Sequence, residues 1–238
     1  MTISDIHIVA HNPSLVLRRF ALLAFPAAAF LSAALLFWVE PLFSKMALPI
    51  LGGSSAVWSV AMVVFQGLML AGYLYAHVLT RYVAIRHAVL IHAIVLAVAA
   101  LSLPIGIATS FHAPPQQGLS LWLVGLFLAS IGLPFFALAA NAPLLQAWFA
   151  RGNSENAYLL YRVSNLGSVL VLLAYPFLIE PSMGLAAQSH LWGIVYVGLV
   201  FAIIASGALA LRTPALENLQ PIGLMRTAGL PDILYQRE

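Results

Sequence analysis

The chain has 238 residues, of which 63% are hydrophobic and 7% charged, and its formal net charge is +3. A water-soluble domain of this length needs far more surface charge, so the composition excludes a soluble fold. The lack of cysteine excludes disulfides, thiolate nucleophiles and Cys-ligated metals. Apart from Arg18-Arg19 the ten Lys and Arg residues stand singly, and none forms a basic run interleaved with aromatics, which excludes a nucleic-acid groove.

Residues 1–17 read as a polar cytoplasmic tail, with Asn12-Pro13-Ser14 arguing against a long helix across it. Six apolar windows follow: Phe20–Val39, Ala56–Leu79, Ala88–Ile107, Leu119–Phe149, Val163–Ile179 and Leu191–Leu211. Each is close to or beyond the ~20 residues that cross a ~30 Å hydrocarbon core. The first carries Pro26, where a membrane helix can bend, and ends at Glu40-Pro41, with a helical continuation toward Leu48. Arg18-Arg19 before this window resembles a twin-arginine export signal. Its 20-residue length, its Phe37-Trp38 end and the five windows behind it instead favour a retained helix.

Gly52-Gly53 makes a short outer turn, and Ser54 or Ser55 is placed to cap the second helix. Gln66-Gly67 and Gly72 in that helix are small or polar residues suited to a helix–helix contact. The chain turns between His77 and His87 on the cytoplasmic side, and Ser110–Gly118, with two prolines, forms the one long outer loop. The fourth window is overlong and holds Gly132-Leu133-Pro134 and Pro143, which predicts a kinked or tilted helix. Arg151–Asn156 is a cytoplasmic turn, and residues 213–238, with three prolines, read as a tail or truncated linker.

Orientation comes from the cations. Arg18, Arg19, Arg81, Arg86, Arg151, Arg162, Arg212, Arg226 and Arg237 fall on one side of the six windows and only Lys45 on the other. The excess of positive charge marks the cytoplasmic face, so both termini are expected there. The expected architecture is therefore all-α: a multi-pass membrane bundle of six helices spanning residues 18–212, flanked by tails 1–17 and 213–238.

Polar groups inside a bilayer are costly and are site candidates by default. Glu40, Lys45 and Glu180 sit at predicted outer helix ends, where they either mark the interface or line a cavity that binds a cation or proton. Asn141 and Gln146 on the fourth span and Arg162, Ser164 and Asn165 on the fifth are expected to meet at one depth, because a short turn joins the two helices. There they either fix packing or contact a solute. Gln66 and His92 are single polar groups read as packing contacts, and Trp38, Trp58, Trp148 and Trp192 as aromatic-belt residues. His7 and His11 have i, i+4 spacing in the tail, a weak metal signal, and no metal site or cofactor is expected. Nucleotide-binding glycine loops, paired carboxylates and nucleophile–base sets are lacking, so the chain is not expected to be an enzyme. A faint echo links Phe37–Pro41 with Phe177–Pro181 through a shared Glu-Pro, either a duplicated hairpin or chance.

Glu40-Pro41-Leu42-Phe43-Ser44-Lys45, Leu48–Trp58, Gly132–Phe136, Ala140–Gln146, Ser164–Ser168 and Leu178–Pro181 together resemble the membrane region of bacterial fused proteins that join a major-facilitator-like domain to a spermidine-synthase-like domain. The similarity spans most of residues 37–192. It implies half of a major-facilitator-like arrangement in a bacterial inner membrane, with a homodimer or a second membrane half completing it. Residues of the catalytic domain are absent, so no synthase activity carries over, and the end at Gln236-Arg237-Glu238 fits a truncated or split gene product. Two readings follow. One is a transporter-like domain handling a small cation such as a polyamine through Glu40, Glu180 and the Asn141–Asn165 cluster. The other is a membrane anchor for a soluble aminopropyltransferase-like partner, with a non-functional fragment as a further alternative.

Overall fold

The computed structural model describes residues 13–111, 114–115, 117–151 and 157–217, and among them it is helical without strands. Helix α1 runs Pro13–Leu51, α2 Ser55–Tyr82 and α3 Ile85–Ala100. Helix α4 runs Leu119–Phe127, passes through a π-turn at Leu128–Gly132 and continues as Leu133–Ala150. Helix α5 runs Ala157–Ala174, passes through a second π-turn at Tyr175–Ile179 and ends at Glu180–Ser182, and α6 runs Leu185–Glu217.

Five of these, α1, α2, α4, α5 and α6, are long and apolar enough to cross a membrane, whereas α3 is a shorter apolar helix of 16 residues. At a rise of ~1.5 Å per residue α3 reaches only about 24 Å, so the third predicted span is not of full length. Its window was expected to run to Ile107, but the helix stops at Ala100 and the chain turns through Ser102 and a cis Leu103–Pro104 bond. The following stretch folds back into the protein. Ile105 is buried, its carbonyl accepts from Ser189 Oγ on α6, and the Ala108 N–H donates to Ser130 Oγ in the α4 π-turn at 3.0 Å.

Helix α1 is continuous through Pro26, Pro41 and Pro49 rather than ending at Glu40-Pro41. It starts at Pro13, a residue tolerated in a first turn because the missing N–H would have no partner there. At the other end, α6 continues past Arg212 to Glu217, into the stretch expected to be a tail. Ser54 caps α2 by accepting from the Val57 N–H at 3.4 Å, as its position predicts. The expected kink in α4 takes the form of the π-turn before Pro134; a proline cannot donate to the i−4 carbonyl, and a wider turn accommodates the lost bond. The same device accompanies Pro176 in α5. The histidine pair His7 and His11, the turn residues 152–156 and the stretch 218–238 lie outside the described residues.

Helices α1 and α4 form the centre. Helix α1 packs against α5, α6 and α4; α4 packs against α2, α1, α3 and α6; and α3 packs against α6. Exchanging the first three helices for the last three reproduces part of this pattern: α2 leans on α4 as α5 leans on α1, and α3 meets α6 across the exchange, but the α4–α6 contact has no comparable α1–α3 counterpart. The Glu-Pro echo does not follow it, because that echo relates α1 to α5. Outside the bundle, large apolar side chains such as Val63, Leu70, Phe177, Ile194 and Phe201 are each about two-thirds or more exposed. An apolar outer surface with a packed interior is the pattern of a membrane-embedded protein.

Three glycines set the closest approaches. A Cβ on Gly167 of α5 would lie 2.6 Å from the Phe30 carbonyl oxygen of α1, and one on Gly72 of α2 would lie 2.8 Å from the Ala139 Cβ and 2.9 Å from the Phe136 carbonyl oxygen of α4. A Cβ on Gly207 of α6 would lie 2.6 Å from Val89 Cγ1 of α3. Gly67, by contrast, has open space above it. Overpacking costs typically about 1–3 kcal/mol. Gly167→Ala and Gly72→Ala are therefore expected to destabilise the bundle by about that amount, and Gly67→Ala, which meets nothing and gains helix propensity, to cost no stability, in denaturant unfolding of the purified monomer in detergent.

Candidate functional site

Polar side chains fall into three groups. The first is inside the bundle. His92 of α3 and Asn141 of α4 are both fully buried, with His92 Nε2 and Asn141 Oδ1 2.7 Å apart. The His92 ring lies 5.9 Å from that of Tyr75 on α2 and meets Trp148 of α4 edge-on at 6.3 Å. Tyr75 stands seven residues before the end of α2, His92 seven after the start of α3 and Asn141 nine before the end of α4. All three therefore sit about 10–14 Å in from the same ends of their helices. Only one hydrogen bond joins them: Tyr75 Oη, His92 Nδ1 and Asn141 Nδ2 have none. Four residues separate α3's His92 from Leu96, whose carbonyl accepts from the buried Tyr196 hydroxyl of α6 at 3.2 Å. Tyr196 stacks on Trp192, and the Trp192 Nε1–H donates to the Leu35 carbonyl of α1 at 3.0 Å.

This pairing changes two expectations. Asn141 was expected to meet Arg162 and Asn165 across the α4–α5 turn. Instead α5 leans mainly on α1, so Arg162 and Asn165 are exposed, Gln146 is half-buried, and Asn141 turns to α3. His92, read as a lone packing residue, is Asn141's partner. Trp58 is 45% exposed, compatible with the aromatic-belt reading, whereas Trp38, Trp148 and Trp192 are buried.

The second group lies at the opposite ends of α1 and α5. Lys45 Nζ forms an ion pair with Glu180 Oε1, and lies 6.0 Å from the centroid of the Tyr175 ring. Phe30 against Gly167 and Lys45 against Glu180 run in the same direction, so α1 and α5 are parallel neighbours and bring these two charges together. Glu40 stands five residues before Lys45 on α1, half-buried and, among the described residues, without a hydrogen-bond or ion-pair partner. It shares a stripe with Pro26, Ala33, Phe37 and Ser44, all half-buried and spaced three, four or seven residues apart, between the faces of α1 that meet α4 and α5. The third group, on the outside of α2, is Ser59, Gln66, Tyr73 and His77, all exposed. Among the described residues no group of three or more His, Asp or Glu side chains is placed to hold a metal.

The buried pair has an energetic signature. Removing one partner of a buried hydrogen bond strands the other, at about 1–3 kcal/mol, whereas replacing both with apolar groups of similar size relieves much of that cost. His92→Leu or Asn141→Leu is thus expected to destabilise the bundle by about 1–3 kcal/mol and the double variant by less than the sum, measured as a double-mutant cycle of unfolding in detergent. The exposed Lys45–Glu180 pair is expected to contribute no more than about 1 kcal/mol in the same assay. Comparison with models of protein families, with curated proteins and with solved structures finds no match to this chain.

Proposed function

We propose that the chain is a transporter-like membrane domain, with six spans in half of a major-facilitator-like arrangement and both termini in the cytoplasm, that handles a small cation such as a polyamine. The observation that carries this reading is Glu40. Among the described side chains the carboxylates are Glu40 and Glu180, and Glu180 is already neutralised by Lys45. Glu40 is left half-buried on a membrane-spanning helix with no counter-charge. An ionised carboxylate in that setting is costly unless a cation meets it, and a protonated amine or an alkali ion from outside supplies what the chain itself does not.

The exchange of packing partners between helix triplets supports the half-transporter arrangement, because internal repeats of three helices recur in transporter halves. The resemblance over residues 37–192 points the same way. In this reading α3 is a span that thins or dips into the membrane at its Ser102–Pro104 end, and the buried Tyr75–His92–Asn141 group is the polar lining nearest the cytoplasm. Glu40→Gln removes the charge while keeping the shape. It is expected to lower equilibrium binding of radiolabelled spermidine to the purified protein, and uptake into proteoliposomes, by at least tenfold, with unchanged membrane insertion and unfolding midpoint. Wild-type protein that takes up no more spermidine than empty liposomes, or a variant that binds it as well as wild type, overturns the reading.

A further inference from the structure

We propose that the outward face of α2 is a symmetric contact with a second copy of this chain, made through Ser59, Gln66, Tyr73 and His77. These residues recur at intervals of seven, seven and four, which at about 100° per residue keeps them within about 40° of one another. Nothing in the bundle covers them. Gln66 is about 180° around α2 from Tyr75, the residue that touches α3, and the α4-facing side of the helix is the row from Val57 and Ala61 through Phe65 and Gly72 to Leu79. The polar row therefore runs down the side of α2 turned away from α3.

Its depth excludes an interfacial explanation for Gln66. That residue is 11 positions from Ser55 and 16 from Tyr82, about 16 and 24 Å from the two ends, surrounded on the same face by exposed Val63, Leu70 and Leu74. Among the described residues its exposed amide has no hydrogen-bond partner. In hydrocarbon that amide must find one on another helix.

The chemistry of the row selects a second copy as that helix. Two copies inserted the same way and related by a two-fold axis along the membrane normal place identical residues opposite one another at equal depth. A primary amide, a phenol, a hydroxyl and a neutral imidazole each donate and accept, so Gln66, Tyr73, Ser59 and His77 can each pair with themselves. Ser59 Oγ donates to the Ser55 carbonyl at 2.9 Å, so a Ser59 pair forms only when one of the two hydroxyls gives up that bond. The seven-residue repeat matches the seam of a left-handed helix pair. This contact is independent of the cation reading and stands or falls separately from it.

The natural absence of cysteine makes the test clean. Single-cysteine variants of the full chain, Val63→Cys and Leu70→Cys beside Gln66 on the same face and Ile194→Cys and Phe201→Cys on the exposed side of α6, are reconstituted in liposomes and oxidised. Disulfide-linked dimers are expected at the first two positions and not at the α6 controls. In dilution with lipid, Gln66→Leu is expected to weaken dimerisation about tenfold and Gln66→Asn much less, with monomer unfolding unchanged. A chain that stays monomeric at every density, that cross-links equally at α6, or whose α2 cysteines react with a water-soluble thiol reagent without cross-linking overturns the proposal, the last result assigning the row to an aqueous path. Retention of the dimer by Gln66→Leu overturns the role of the amide.

Discussion

The bundle depends on helix backbones coming close enough to touch. In hydrocarbon there is no hydrophobic gain from pressing one apolar helix on another, so association rests on van der Waals packing and interhelical hydrogen bonds. Gly72, Gly167 and Gly207 supply the packing at α2–α4, α5–α1 and α6–α3, each in a place where a methyl group would meet a backbone oxygen or a branched side chain. Because α2 and α5 lean on the central helix of the other triplet, the two triplets interlock rather than stack. That interlock accounts for α4 being the most enclosed of the long helices and α5 the most exposed.

The polar groups follow from the same geometry. Where helices approach closely, donors find partners inside: His92 finds Asn141, Trp192 reaches the Leu35 carbonyl and Tyr196 the Leu96 carbonyl. These bonds tie α3 to α4, α6 to α1 and α6 to α3, beside the glycine contacts and not in place of them. The short α3 is tolerated because the chain after it is held inward by Ser130 and Ser189, satisfying backbone groups that would otherwise face lipid. On the exposed and half-buried faces some polar groups lack partners among the described residues. Glu40 on α1 and Gln66 in the α2 row are cases without a partner among the described residues, and the cation and the matching helix proposed above are what would meet them.

Much of the architecture was legible in the chain. The positions of the arginines and the length of the apolar windows announce a multi-pass helical membrane protein, Ser54 announces the start of α2, and Gly132-Leu133-Pro134 announces the break in α4. Gly72 was also readable as a contact glycine. Gly67, five residues earlier, looks the same in sequence yet has nothing above it, because the rotation of α2 about its axis is fixed by neighbours and not by composition. The partner of Asn141 was misassigned for a related reason: a short connection makes α4 and α5 adjacent in sequence, but α5 gains more by laying Gly167 on α1.

What the sequence by itself determined is local and compositional: which segments are apolar enough for the membrane, where they start and turn, and which few polar residues they carry. Those properties depend on the chain's own hydration and backbone chemistry, which a linear string records. Only the tertiary structure decided which polar groups meet, that Lys45 spends its charge on Glu180 and leaves Glu40 free, and that α3 stops short while its continuation folds inward. Pairing between helices depends on their relative rotation and depth. Those are set by the summed contacts of distant segments, above all the three glycine approaches, and no single stretch of sequence contains them.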